Sequence, residues 1–360
     1  MQKTNNLKLA KANKNDEFYT LLEDIEKEIL HHEDYVKQFN GKIIYCNCDN
    51  PEWSNFFFFF KSHFHEFGLK KLISTYLDDG DISYKTEFDG INIVRTKLSG
   101  NGDFRSDECI KILKNADIVC TNPPFSLFRQ FVSLLTKYNK KFIIIGAKSA
   151  IAYRDFFQLL KEEKCFIGYN YGNGTMRFSL KIDNNKPVET ETKPVASYWF
   201  TNFSINKTHK SLNLTKNYKD NERDYPKYDN YDAIECGKLK NIPRDYFPCW
   251  FSCRNKENCN FAKTNGKISN KDCHMSCNGV IGVPITYLSK HCPEQFIILG
   301  KDEQIEYAEN ECTFFKKPST EKQNEYKKLL KEYRIQNAYI LDENGIPKPF
   351  YHRIFIRRKN

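Results

Sequence analysis

In Asp117-Ile-Val-Cys-Thr-Asn-Pro-Pro-Phe125 a short apolar run stops abruptly at two prolines. Asp117–Thr121 has the β-branched composition of a buried strand, and Ser126–Tyr138 has helical periodicity. Between them, Pro123 and Pro124 can continue neither element and withdraw two backbone donors, which leaves a rigid corner rich in acceptors. Strand, corner and helix make half of a βαβ unit, and a doubly wound sheet binds ligands at such carboxyl ends. Working outward, Lys42–Tyr45, Lys71–Tyr76, Ile91–Lys97 and Lys141–Gly146 read as further strands, with helices over Ser54–Phe67 and Ser106–Asn115. This alternation predicts an α/β fold with a mostly parallel sheet. Glu17–His32 carries an apolar stripe at Phe18, Leu21, Leu22, Ile25, Ile29 and Leu30, which predicts a helix capping that sheet. The five phenylalanines Phe56–Phe60 cover more than one helical face and are expected in the core.

The corner suits one chemistry. An exocyclic or amide NH2 is a poor nucleophile because its lone pair is delocalised. The Asn122 side-chain oxygen and the Pro123 carbonyl can accept its two N–H bonds, which favours a pyramidal nitrogen with its lone pair aimed outward. Pro124 stiffens the turn, and Phe125 can stack on the planar group that carries the amine, as extruded bases are held. Alignment then does most of the work and no general base is required. The plain alternative is a Pro-Pro turn ahead of a helix. The acceptor stays open on these residues: adenine in DNA, guanine in ribosomal RNA and glutamine in protein all fit.

The chain has 360 residues, with 56 Lys+Arg against 46 Asp+Glu and a net charge of +10, which favours a polyanionic partner. Its longest apolar runs fall far short of the ~20 residues that a bilayer-spanning helix needs. The polar stretch from Met1 to Asn15 has no apolar segment of a secretory signal, so a cytoplasmic location is expected. The 13 cysteines are odd in number and cannot all pair; Cys46, Cys48 and Cys120 are expected as small packed side chains. After about Phe178, Asp183–Lys193 and Asn206–Tyr231 are polar without sustained period and read as loops. Tyr351–Asn360 alternates and carries Arg353, Arg357, Arg358 and Lys359, as either a guarded, solvated edge strand or a basic contact for nucleic acid.

Several long strings resemble one family. They are Asn15-Asp-Glu-Phe-Tyr-Thr20, Tyr45-Cys-Asn-Cys-Asp-Asn-Pro51, Gly102-Asp-Phe-Arg-Ser106, Asp117–Phe128, Tyr225–Ile234, Ile242-Pro-Arg-Asp-Tyr246, Gly279–Thr286 and Pro293-Glu-Gln-Phe296. Together they resemble the EcoRI-type adenine-specific DNA methyltransferases, nearly end to end. The resemblance implies a Rossmann-like S-adenosyl-L-methionine-dependent sheet over 1–178 and a loop-rich DNA-recognition region over 179–360, with 279–300 returning toward the core. It also implies N6 methylation of adenine in double-stranded DNA, a restriction–modification setting and a monomer. Asn122, Pro123, Pro124 and Phe125 become the catalytic residues. Phe18, Tyr19 and Thr20 join the cofactor site with Cys46, Asn47, Cys48, Asp49 and Pro51, a loop without the usual Gly-x-Gly, and with Asp103 and Phe104. Asp49 is otherwise a turn residue or cap, and Asp103 otherwise a cap. Asp78 or Asp79 would take the ribose. An RNA or protein acceptor, or an inactive DNA-binding relative, are the rival readings.

The chain departs from the family at 247–278, an insert of about thirty residues between matched strings. It holds Cys249, Cys253, Cys273 and Cys277, two Cys-x3-Cys pairs able to close a tetrahedral thiolate site for structural zinc, with Cys259 or His274 as substitutes. A loop with free thiols is the alternative.

Overall fold

The computed structural model describes residues 19–77, 83–169, 175–180, 182–184, 186–205, 210–219, 221–246, 279–303, 316, 319–331 and 333–359. The chain divides into two compact units, Met1–Lys207 and Thr208–Asn360. The first unit therefore runs past the change of composition near residue 178.

In chain order the first unit has β1 (Tyr19–Thr20), α1 (Leu22–Ile29), α2 (Tyr35–Phe39), β2 (Ile43–Cys46), α3 (Asn55–Ser62), β3 (Lys71–Ser74), β4 (Tyr84–Phe88), β5 (Ile93–Lys97), α4 (Asp107–Asn115), β6 (Ile118–Thr121), α5 (Phe128–Lys137), β7 (Lys141–Ala147), α6 (Arg154–Lys161) and β8 (Phe166–Ile167). It continues with β9 (Met176–Ser179), β10 (Ile182–Asp183), β11 (Lys186–Pro187), β12 (Thr192–Val195) and β13 (Ser197–Thr201). An eight-stranded sheet has the order β5-β4-β3-β2-β6-β7-β13-β8. Only its centre, β3-β2-β6-β7, is parallel; β4, β5, β13 and β8 join antiparallel. The sheet is thus mixed, not mostly parallel.

Three expectations change here. The helix predicted from Glu17 begins at Leu22, because Tyr19 and Thr20 pair with Ser179 and Phe178 as a strand. β4 was not expected, although Tyr84, Thr86 and Phe88 alternate with Lys85 and Glu87; it forms a hairpin with β5. The stretch read as loops from Asp183 includes strands, and β13 is buried at every position beside β7.

Packing follows the apolar periods. Phe128, Phe131, Val132 and Leu135 recur at helical spacing and are the buried face of α5. Phe56, Phe57, Phe59 and Phe60 of α3 are buried, joining Ile25, Phe39, Phe67, Ile118, Ile143 and Trp199 in one core. Each such ring stabilises by roughly 1.5–3 kcal/mol relative to exposure.

The second unit contains β14 (Ile234–Glu235), β15 (Val280–Pro284), β16 (Phe296–Lys301), α7 (Thr320–Leu329), β17 (Tyr339–Leu341), β18 (Pro347–Pro349) and β19 (Arg353–Arg358). Its four-stranded sheet has the order β14-β15-β19-β16, so Val280–Pro284 and Phe296–Lys301 belong to this unit's own sheet. β19 is flanked on both sides and is not an edge. Its Arg353 does not serve as a solvated guard either: Nε and one terminal nitrogen hold both oxygens of Glu235 at 2.9–3.2 Å, with the pair 11% and 6% exposed. Tyr228 donates its hydroxyl to the same carboxylate. Tyr228, Tyr231, Val280, Ala338 and Phe355 form the unit's small core. Among the described residues, no helix is long and apolar enough to cross a membrane.

Candidate active site

The site lies where β2, β3 and β6 end side by side. Both ends of the β2–β6 pair are fixed by an aspartate. At the start, Asp117 Oδ2 accepts the Ile43 N–H at 2.8 Å. At the other end, Asp49 follows β2 and its carboxylate, 8% exposed, accepts from two hydroxyls: Ser54 Oγ at 2.7 Å and Thr121 Oγ1. Burial raises the Asp49 pKa to about 6, and those two hydrogen bonds pull the other way.

The loop after β2 is compact. Asn50 Oδ1 accepts the Glu52 N–H at 2.9 Å, and the Asn50 carbonyl accepts from Trp53 and Ser54 at 3.2 and 2.8 Å. Ser54 caps α3 by accepting from Phe56 and Phe57 N–H at 3.1 and 3.5 Å. Asp49 is therefore not the cap; it holds the cap. Its N–H donates to the Thr75 carbonyl at 3.1 Å and its carbonyl accepts from Ser74 Oγ, which ties the turn to the end of β3.

Thr121 closes β6 with no exposure, and Asn122, Pro123 and Pro124 follow as the corner. Phe125 opens a short 3-10 turn, Phe125–Leu127, that leads into α5. Asn122, Pro124 and Phe125 are half-buried, and Pro123 is buried. Strand, corner and helix thus stand in the predicted order.

The residues expected at the cofactor site divide. Thr20, Cys46, Asn47 and Asp49 are buried, and Tyr19, Cys48 and Pro51 half-buried. The Thr20 carbonyl accepts from Asn55 Nδ2 at 2.8 Å, so β1 is held against the start of α3. Thr20 Oγ1 and Asn47 Oδ1 are both buried with no hydrogen-bond partner. Asp103 is half-buried and its carboxylate is gripped by Arg105, with Nε and a terminal nitrogen at 3.0 and 2.8 Å. Ser106, not Asp103, caps α4. Phe104 is buried edge-on to Phe131, with ring centroids 5.1 Å apart. Phe18, Asp78 and Asp79 lie outside the described residues, as do Cys249, Cys253, Cys259, Cys273, His274 and Cys277. Among the described residues, no group of three or more His, Cys, Asp or Glu could hold a metal ion.

Several site residues escaped the sequence reading. Ser54, Ser74, Thr75 and Thr121 carry the polar network, and Trp53 and Tyr76, after β2 and β3, bring their rings to 6.4 Å. One signal was available: Gly102 has φ +80°, and a Cβ there would stand 2.0 Å from the Tyr76 carbonyl oxygen, so only glycine lets this loop close on the end of β3. In the second unit, Arg244 donates to Asn217 Oδ1 at 2.6 Å and its carbonyl accepts from Arg358, so two of the basic residues are joined.

The model of the adenine-specific methyltransferase EcoRI family matches residues 6–250. A Type II methyltransferase of Mycoplasma genitalium, M.MgeORF184P, is 40% identical over 298 residues, 80% of this chain and 83% of that protein. M.EcoRI of Escherichia coli is 38% identical over 342 residues, 85% of this chain and 93% of that protein. M.MpnI of Mycoplasma pneumoniae is 38% identical over 301 residues, 81% and 83% of the two chains. No solved structure matches. A chain that follows its sixth strand with Asn-Pro-Pro-Phe, matches that model over most of its length and shares this identity with three such enzymes belongs to the EcoRI family of adenine-specific methyltransferases.

Proposed function

We propose that this chain transfers the methyl group of S-adenosyl-L-methionine to N6 of an adenine turned out of double-stranded DNA, as the monomeric modification enzyme of a restriction–modification system. The observation that carries the proposal is the Asn122–Phe125 corner at the carboxyl end of β6, tied through Thr121 and Asp49 to the turn after β2. In this reading the first unit is the Rossmann-like catalytic domain and the basic second unit recognises DNA.

Tyr19, Thr20, Cys46, Asn47, Cys48, Pro51, Asp103 and Phe104 would hold the cofactor, with Asp49 in the same loop. The two buried oxygens without partners, Thr20 Oγ1 and Asn47 Oδ1, suit a ligand that brings amino and hydroxyl groups. When bound, the cofactor supplies a methyl group made electrophilic by its sulfonium. Asn122 Oδ1 and the Pro123 carbonyl accept both N–H bonds of the adenine amine and withdraw its lone pair from the ring. Pro123 and Pro124 keep these acceptors from relaxing, and Phe125 stacks on the base. The amine nitrogen so held would take up that methyl group, with the thioether as leaving group, and would give its extra proton to solvent.

Plasmid DNA incubated with labelled methyl donor, followed by mapping of the modified base, tests this directly. Label is expected at adenine N6. Asn122→Ala is expected to lower kcat by about 100-fold or more with cofactor binding retained. A near-normal rate for that variant removes Asn122 from the role.

A further inference from the structure

We propose that Asp49 is a positioning residue rather than a cofactor ligand: by accepting from Ser54 Oγ and Thr121 Oγ1 it sets the Asn122 corner relative to the cofactor loop. The proposal rests on the methyl-transfer reading above and deepens it.

The geometry favours a clamp. Asp49 touches the ends of three neighbouring strands, since its backbone engages Ser74, the last residue of β3, and Thr75 just after it, its chain continues β2, and its side chain reaches Thr121 of β6. Both carboxylate oxygens are occupied by hydroxyls in a buried setting. Each oxygen keeps a second lone pair, but its first is directed at a hydroxyl of the protein and the group is buried, so the carboxylate faces the protein more than a ligand. What it does have is leverage: Thr121 immediately precedes Asn122, and Ser54 begins the helix that follows the cofactor loop. A displacement of about 1 Å between an acceptor and the reacting atoms is enough to cost roughly 100-fold in rate.

The charge state matters because only the ionised carboxylate accepts from both hydroxyls. Protonated, it becomes a donor on one side, and the hydroxyl there must turn to accept instead, which changes the geometry of the clamp. Its titratable neighbours are Cys46 of β2, Cys48 of the loop and Cys120 of β6, thiols that burial and Asp49 itself keep protonated; α3 and β3 contribute the hydroxyls of Ser54 and Ser74. With the Asp49 pKa raised to about 6 by burial, protonation falls in an accessible range.

Single-turnover methylation of plasmid DNA by the full chain tests the clamp, with cofactor affinity measured separately by equilibrium binding. Asp49→Asn and Thr121→Val are each expected to slow methyl transfer by about 100-fold while cofactor Kd changes by less than about 3-fold. Thr121→Ser, which keeps the hydroxyl, recovers most of the rate. Wild type should lose rate as pH falls through about 6, and Asp49→Asn should lack that limb. A fall in cofactor affinity that matches the fall in rate for Asp49→Asn makes Asp49 a ligand and overturns the proposal. So does Thr121→Val at the wild-type rate, a result open even if Asp49→Asn fails to fold. A wild-type chain that methylates no DNA overturns the functional reading and this inference together; an active wild type with unaffected variants overturns the inference alone.

Discussion

Asp49 in the first unit and Glu235 in the second are both carboxylates removed from water, 8% and 5% exposed, yet they are accommodated in opposite ways. Glu235 meets a guanidinium in bidentate geometry and a tyrosine hydroxyl besides. Asp49 meets only two hydroxyls, so burial dominates and its pKa rises to about 6. The guanidinium holds the carboxylate by an opposite charge in fixed geometry and serves architecture. Hydroxyls leave the charge adjustable, at a cost in stability whenever it is present. The adjustable one stands beside the proposed active site, and the fixed one sits within a sheet.

The strongest way to break this contrast is Arg353→Met. It strands Glu235 in the interior and is expected to cost about 3–5 kcal/mol by denaturant unfolding, whereas adding Glu235→Leu should return most of the loss. A single-variant cost under about 1 kcal/mol would mean that the pair is inert.

Asp49 is probed by pH. Its folded pKa of about 6 lies above the ordinary 3.8, so between those values the folded chain keeps a proton that the unfolded chain has lost. Stability from this group therefore falls as pH rises through that window and stays lower above it, by about 3 kcal/mol in all. His291 works in the opposite sense over much of the same range, because burial holds its pKa down at about 4 and its neutral form stabilises at higher pH. The clean measurement is thus the difference in unfolding free energy between wild type and Asp49→Asn at pH 4 and pH 7. Equal differences at both pH values would contradict the assignment.

A smaller effect sharpens the other side. A Cβ on Gly282 of β15 would stand 2.3 Å from the Tyr228 hydroxyl. Gly282→Ala should push Tyr228 off Glu235 while leaving Arg353 in place, at about 1–3 kcal/mol. Thermal unfolding and tyrosine absorbance follow the loss of stability and the release of the ring. An unchanged Tm would show that Tyr228 adds nothing to the pair.

How much of this was legible beforehand follows from sequence distance. The strand at Asp117–Thr121, its proline corner and the helix beyond it are local, and their periodicity and turn chemistry sufficed. Ser54 could be read as the beginning of a helix for the same reason. Asp49 was left between cofactor contact and cap because the partner its carboxylate meets, Thr121, is 72 positions away. Arg353 alternates in an apolar run and read as either a guarded edge or a basic contact for nucleic acid, since its counter-ion Glu235 is 118 positions away. Pattern shows which face a residue occupies, and only the folded chain shows who meets it there. The antiparallel flanks of the large sheet were missed differently: β4 carried its own alternation, whereas β13 lay next to polar stretches that drew the eye away from Tyr198, Trp199 and Phe200.

The place of β19 between β15 and β16 has a consequence for how the second unit forms. β19 follows both of its partners in the chain, so neither can complete its pairing until Arg353–Arg358 has been made and threaded between them. Closure of such long segments precedes any return in contacts, which makes assembly of this sheet slow compared with the local hairpin of β4 and β5. During that wait Val280–Pro284 and Phe296–Lys301 offer open, apolar edges to other chains. The second unit is therefore where a nascent or heat-stressed chain is most exposed to aggregation, and where a chaperone has most time to act.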